Sequence, residues 1–289
     1  MAPQIVLMTG CSAGIGLAMV QRLARDPDQR FIIIATVIAM SEKNDLEAEV
    51  KDELGSKVFI KELDITKDEN ITEVVADVVK SHGRIDVLLN IAGVAFYGVP
   101  ERITRKQIDL SFNVNVIGPI ILTQAVLPHM KEKQSGKIIT FSSVAGRIGC
   151  PYSEVYNASK FAVDGFFEAL AAGLRAFNIR VCLIEPRQVD TGFWGGVLKQ
   201  IEAGANDETI TEIDRRQLRN RHANIQVSTI LKVVEVVDVV MTKCLDVDEP
   251  VLRQMIDGES GETFTKTAGE LTGEAGLAAF GLDSIADID

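Results

Sequence analysis

Short, almost wholly apolar runs recur along the chain, separated by longer stretches in which apolar positions return every three or four residues. The runs at 4–9, 31–36, 57–63, 87–89, 138–141, 180–184 and 251–255 have the length of strands. Their lack of in–out alternation is the mark of strands buried on both faces, as in a parallel sheet. Between them, 17–25, 44–54, 67–82, 101–110, 115–131, 154–177 and 229–245 carry helical periodicity. Strands alternating with helices predict an α/β fold, a doubly wound parallel sheet flanked by helices on both faces. The pattern lapses over 187–228, which is expected to be a long irregular segment beside the ligand site. It lapses again over 258–289, a Gly-, Thr- and acid-rich stretch that specifies no element. With no internal repeat and no linker, 1–289 is expected to be a single domain.

Composition narrows the partners. The 289 residues are 46% hydrophobic with net charge −11, and no Lys/Arg-rich stretch stands out. Nucleic acid and anionic membrane are therefore not expected as partners. Cys11, Cys150, Cys182 and Cys244 are widely spaced, without the spacing of a metal site, and fit a reducing compartment. No His/Cys/acid cluster has ligand spacing, so no metal is expected. The first strand begins by Ile5, leaving no room for a signal peptide, and 31–40 is too short for a membrane span. A cytoplasmic protein without a transmembrane segment is the expectation.

Candidate chemistry lies at two strand ends. Gly10-Cys11-Ser12-Ala13-Gly14-Ile15-Gly16 joins the first strand to the first helix. Glycines there let backbone approach a pyrophosphate, while the helix N-terminus supplies N–H groups and dipole, as in a Rossmann-type domain. Tight strand–helix packing would explain the same glycines. At the end of the run 138–141 stand Ser142 and Ser143, and farther on Tyr156 and Lys160 share one helix face at i, i+4. An ammonium beside a phenol favours phenolate and lowers its pKa, fitting Tyr156 for proton transfer to a substrate oxygen that Ser143 could bind. Taken alone, the pair reads more readily as an ordinary helix contact.

Thr9-Gly10-x3-Gly14-Ile15-Gly16, Asp64, Ala92-Gly93, Asn115, Ser143 and Tyr156-x3-Lys160 occur in that order over about 4–200. Together they resemble the short-chain dehydrogenase/reductase family. Thr9-Gly10-Cys11-Ser12, Tyr156-Asn157-Ala158-Ser159-Lys160 and Pro250-Val251-Leu252-Arg253 look closest to its branch of type 1 17β-hydroxysteroid and photoreceptor retinol dehydrogenases. The resemblance implies that Tyr156 is the general acid/base and that Lys160 tunes it and holds the nicotinamide ribose. It implies that Ser143 binds the substrate oxygen and that Asn115 maintains a kinked helix and a relay water. Gly10, Ser12, Gly14, Ile15 and Gly16 would form the pyrophosphate turn. Asp64 would meet the adenine, and Ala92, Gly93 and Val189 would complete the cofactor wall. Phe193, Trp194 and His222 would meet a lipophilic, steroid- or retinoid-like substrate. A surface histidine would equally explain His222. A homodimer through 102–131 and 154–177 is the family's usual assembly.

Several cofactor positions depart from the family pattern: Ala13, Ile38, Ile91 and Arg187. Ile38 stands where Arg would grip a 2′-phosphate, and Arg187 where a glycine lets backbone pass the nicotinamide. NADP or NAD is therefore expected to bind weakly, with little discrimination between them. The leading expectation is an oxidoreductase moving hydride between NAD(P)(H) and a lipophilic alcohol or ketone. The alternative is a cofactor-independent isomerase, lyase, cyclase or oxygen-using enzyme that reuses Ser143, Tyr156 and Lys160.

Overall fold

The computed structural model describes residues 2–227 and 230–256. Seven strands, β1 (Gln4–Met8), β2 (Phe31–Val37), β3 (Val58–Glu62), β4 (Val87–Asn90), β5 (Gly136–Phe141), β6 (Ile179–Pro186) and β7 (Arg253–Ile256), form one sheet. Its order is β3-β2-β1-β4-β5-β6-β7, and every neighbouring pair is parallel. The apolar runs show why both faces are covered. Val6, Met8, Ile33, Leu89 and Ile139 pack on one side, and Leu7, Ile34, Leu88, Ile138 and Leu183 on the other. Burying each such side chain contributes about 1.5–3 kcal/mol.

The helices α1 (Gly14–Ala24), α2 (Asn44–Glu49), α3 (Asp68–His82), α4 (Arg105–Phe112), α5 (Gly118–Lys133) and α6 (Glu154–Leu174) fill the connections. Helix α2 stops short of the expected 54. Gly55 turns the chain at φ +70°, and Leu54 already bridges to Val58. Thr104 caps α4 through a box with Gln107. Helices α4 and α5 are one run interrupted by a π turn at Asn113–Ile117. That run, Arg105–Lys133, is long and apolar enough to cross a membrane by length and composition, a property the sequence reading overlooked. Half of its most apolar window is buried inside the fold, as befits a core helix.

Over its described residues, 187–227, the segment expected to be irregular is mostly helical. It contains α7 (Gly192–Ala205) and α8 (Glu212–Val227). Val197, Ile201 and Ala205 are buried at four-residue spacing and meet Leu218 and Ile225, so the two helices form a cluster of their own. Gln200 fastens them to the loop after β4, accepting from Tyr97 N (3.0 Å) and donating to Ala95 O (3.3 Å). The last helix among the described residues, α9 (Val233–Val239), begins later than expected and ends in a π segment, Val240–Leu245. Ser228 at the end of the expected irregular segment, Thr229 at the expected start of the helix, and the stretch 258–289 lie outside the described residues.

At the β6/β7 edge of the sheet lies a charged cluster. Asp164 of α6 and Glu185 of β6 are buried and share the guanidinium of Arg253 from β7, 3.1 Å from Asp164 and closer to Glu185. Glu168 takes its second nitrogen, and Arg147 lies 3.7 Å from Glu185. Burial pushes both Asp164 and Glu185 above the usual carboxyl range, against the pull of Arg253.

Candidate active site

Because the sheet order runs outward in both directions from the β1/β4 pair, a crevice opens at the C-terminal ends of those strands. It is a cleft of about 1220 Å³, into which the ends of β1, β4, β5 and β6 all deliver residues.

One wall is the glycine turn. Gly10 has φ +71°, and a Cβ there would stand 2.9 Å from Ala92 Cα. A Cβ on Gly16 would stand 2.0 Å from Gly10 O, so no side chain fits between turn and helix. Ala13, the N-cap of α1, has no side chain able to occupy the helix's first N–H groups. Those groups and the glycine cradle fit a pyrophosphate. Thr9 Oγ1 locks the neighbouring loop by accepting from Ile91 N (3.0 Å) and Ala92 N (3.1 Å). Asp64 also lines the cleft. Burial opposes its charge, but bonds from Thr66 and Lys67 outweigh it and hold the carboxyl below its usual range.

The other wall carries the reactive groups. Ser143 follows β5, and its Oγ accepts from Ala145 N at 3.1 Å. Tyr156 and Lys160 enter from α6, and all three line the cleft. Lys160 Nζ donates to Phe141 O at 2.8 Å and lies 5.6 Å from the centre of the Tyr156 ring. The expected tuning is not what this geometry gives. Burial pushes the Tyr156 phenol up to about 12, with the Ser143 hydroxyl pulling the other way. Burial also pulls the Lys160 ammonium down to about 8, opposed by Asp164. The ammonium's hydrogen bond goes to a carbonyl rather than to the phenol, which rests as a neutral proton donor within reach of its charge.

Asn115 stands behind this wall, inside the π turn. Its Nδ2 donates to Val94 O (2.8 Å) and Ser159 Oγ (3.0 Å), and Val94 N donates to its Oδ1 (2.8 Å). It thereby ties the loop after β4 to α6, one turn from Tyr156.

The comparisons with known proteins bear directly on this arrangement. The family model described as short chain dehydrogenase matches residues 4–202. The chain is a short-chain dehydrogenase. Retinol dehydrogenase 8 of Bos taurus is 39% identical over 214 residues, 73% of this chain and 68% of that protein. The 17-beta-hydroxysteroid dehydrogenase type 1 of Homo sapiens is 35% identical over 214 residues, 74% and 64% of the two. Among solved structures, a short-chain dehydrogenase from Streptomyces avermitilis superposes with a TM-score of 0.79 at 24% identity, over 97% of each chain.

In this short-chain dehydrogenase Gly10, Ser12, Gly14, Ile15, Gly16, Asp64, Ala92, Gly93 and Val189 all line the cleft, as do Phe193 and Trp194. So do the departures Ala13, Ile38, Ile91 and Arg187. The backbone at Arg187 runs on as sheet edge, its N–H donating to Ile256 O at 2.9 Å. His222 is not among the lining residues. Its neighbour Arg221 is, with its guanidinium 5.6 Å from the centre of the Tyr97 ring.

The sequence reading missed Tyr97, which packs 6.2 Å from Tyr156 and 6.3 Å from Trp194 and completes an aromatic wall. It also missed Tyr152, held at φ +59° with its hydroxyl on Gln217. Glu42 lines the cleft beyond β2 and was missed as well. Acid after the second strand was the available signal.

Proposed function

We propose that this short-chain dehydrogenase transfers hydride between NAD(P)(H) and a lipophilic alcohol or ketone of steroid or retinoid type. One observation carries the reading. A single cleft joins a glycine cradle fit for pyrophosphate to Ser143, the buried Tyr156 and Lys160, and an aromatic, mostly apolar far wall. The names of the retinol and steroid dehydrogenase relatives supply the substrate class.

The nicotinamide, when bound, supplies or accepts the hydride. Ser143 Oγ donates to the substrate oxygen and Tyr156 passes its phenolic proton to it as negative charge develops there. Tyr156 stays protonated well past neutrality, so the resting site is set up to donate, the direction of carbonyl reduction. Lys160 favours the phenolate left behind, and Asn115 fixes the helix that presents both. The apolar walls exclude water from the reacting atoms. The cofactor-free alternative is not favoured, since the Gly10/Gly16 cradle is intact and the family is one of oxidoreductases.

The test is the change in nicotinamide absorbance with steroid, retinoid and other lipophilic carbonyls. With a substrate found, kcat/KM for reduction is expected to fall as pH rises through about 8, where Lys160 loses its proton. Lys160→Arg, which does not titrate there, should shift that fall upward. A profile unchanged by the substitution would remove Lys160 from the scheme. We also propose that copies pair through the run 102–131 and α6, where Ile117, in the π turn between α4 and α5, and Phe161 stay exposed. Sedimentation equilibrium giving the mass of one chain would reject that.

A further inference from the structure

Helix α8 brings a polar strip to the otherwise mostly apolar end of the cleft. Gln217, Asn220 and Arg221 all line it, and their i, i+3, i+4 spacing puts them on one helix face. The Arg221 guanidinium lies 5.6 Å from the centre of the Tyr97 ring, and that ring lies 6.2 Å from the ring of Tyr156. The cation is thus one aromatic ring removed from the acid–base phenol, close enough for one small molecule to touch both. Arg221 also sits beside the Cys150 thiol, which burial pushes up while the guanidinium pulls the other way. Neither a ring face nor a neutral thiol neutralises its charge.

The two ends of the cleft differ in sign. Among the described residues, the acids that line it are Glu42 and Asp64, which follow β2 and β3 on the side of the glycine cradle. Two acids approach the α8 end, and Tyr152 engages both. Asp214 accepts from its hydroxyl at 3.3 Å and Glu154 from its backbone N–H at 2.9 Å, and neither lines the cleft. The same hydroxyl donates to the Gln217 carbonyl oxygen, which leaves the Gln217 amide N–H groups as donors. Of the cations that line the cleft, Lys160 serves the phenol and Arg187 stands at the end of β6, whereas Arg221 has no part in the hydride-transfer scheme. In a chain of net charge −11, a cation on the lining of an apolar cleft favours an anionic ligand there.

We propose that the substrate is a lipophilic keto acid or hydroxy acid, its carboxylate held by Arg221 with Gln217 and Asn220 while its carbonyl or alcohol lies at Tyr156. Arg221 is then the residue that selects it, and the proposal rests on the hydride-transfer reading given above. The planar fork of a guanidinium meets a carboxylate with two parallel N–H···O bonds, and the two amides add donors on the same helix face. The acid stays ionised throughout, while the carbonyl at the other end of the molecule is reduced.

An androstane ketone with a carboxylic acid on its far ring, and the carboxamide of the same compound, test this on the full chain. Calorimetric titration with oxidised NAD or NADP present reads binding without turnover. The acid is expected to bind at least about tenfold more tightly than the amide, with the gap narrowing as salt rises. Arg221→Gln should cost the acid about 10–100-fold more than it costs the amide, the worth of charge-assisted hydrogen bonds. Arg221→Lys, which keeps the charge but not the fork, should cost less. Thermal melting checks that each variant folds, and the parent's own preference needs no variant. Equal affinities for acid and amide, no binding of either, or a loss in Arg221→Gln shared equally by both would overturn the proposal. Selective binding of the acid with no change in nicotinamide absorbance, when the keto acid meets NADH or NADPH, would instead overturn the hydride-transfer reading and leave the anion site standing.

Discussion

Tyr156→Phe is expected to lower kcat/KM by about 10²–10⁴-fold, the usual share of a positioned acid–base group, with dinucleotide affinity nearly unchanged. The substitution removes one hydroxyl and keeps the ring, which still packs against Tyr97 at 6.2 Å and Phe193 at 6.3 Å. Stability should not fall, because the phenol that is lost has no hydrogen-bond network beyond Ser143 to leave unpaired. The informative comparison is steady-state kinetics beside calorimetry on the same preparation. A variant that keeps parental turnover would show that the proton comes from another group. Equal losses in turnover and nucleotide affinity would make Tyr156 a packing residue of the cleft.

Arg253→Leu should be the most destabilising single change outside the apolar core. It leaves Asp164 and Glu185 buried side by side without the cation they share, and breaking such a pair from one side costs about 3–5 kcal/mol. That is a large fraction of the roughly 5–15 kcal/mol that holds a domain folded. The pH dependence has a definite sign. Both carboxyls already sit above their unfolded values, and losing Arg253 raises them further. The folded variant then binds more protons than its unfolded chain, so acidification favours folding at this site. The deficit against the parent should accordingly shrink as the pH is lowered from 7 to 5. Urea unfolding at both pH values measures it. Equal midpoints for variant and parent at pH 7 would show that the two acids do without Arg253.

Much of the frame was legible because a strand buried on both faces leaves nothing to interpret: 31–35 and 87–89 are apolar throughout, and both strands have neighbours on either side. The helices α7 and α8 were hidden for a physical reason. Gly192, Gly195 and Gly196 give the first turn of α7 low intrinsic helix propensity, and α8 is charged on most faces with little more than Leu218 and Ile225 turned inward. Docking over the cleft decides these helices, and a propensity reading does not see docking. The same blindness explains His222. On a helix its neighbour Arg221 points about 100° away, and without the helix neither face could be assigned.

The i, i+4 spacing correctly put Tyr156 and Lys160 on one wall. It gave no sign that Phe141 O would take the ammonium, since that carbonyl comes from another element, the end of β5. Glu42 escaped because the acid sits in the turn after β2 rather than at the strand end where the rule looks.

The cover of the substrate end is one unbroken stretch, 192–227, while Asn115, Ser143, Tyr156 and Lys160 all reside on the sheet-and-helix frame beneath it. On the proposed function, reaction and recognition thus sit on separate parts of the chain. The stretch is attached to the frame by recognisable fasteners, Gln200 on the backbone of Tyr97 and Ala95, and Thr209 on Arg102. A descendant that keeps Gln200, Thr209 and the inward face of Val197, Ile201 and Leu218 is free to rewrite the remaining surface without disturbing the chemistry. The 192–227 cassette is therefore where new substrate tastes would be bred, in nature or in a library, and the frame would stay the same.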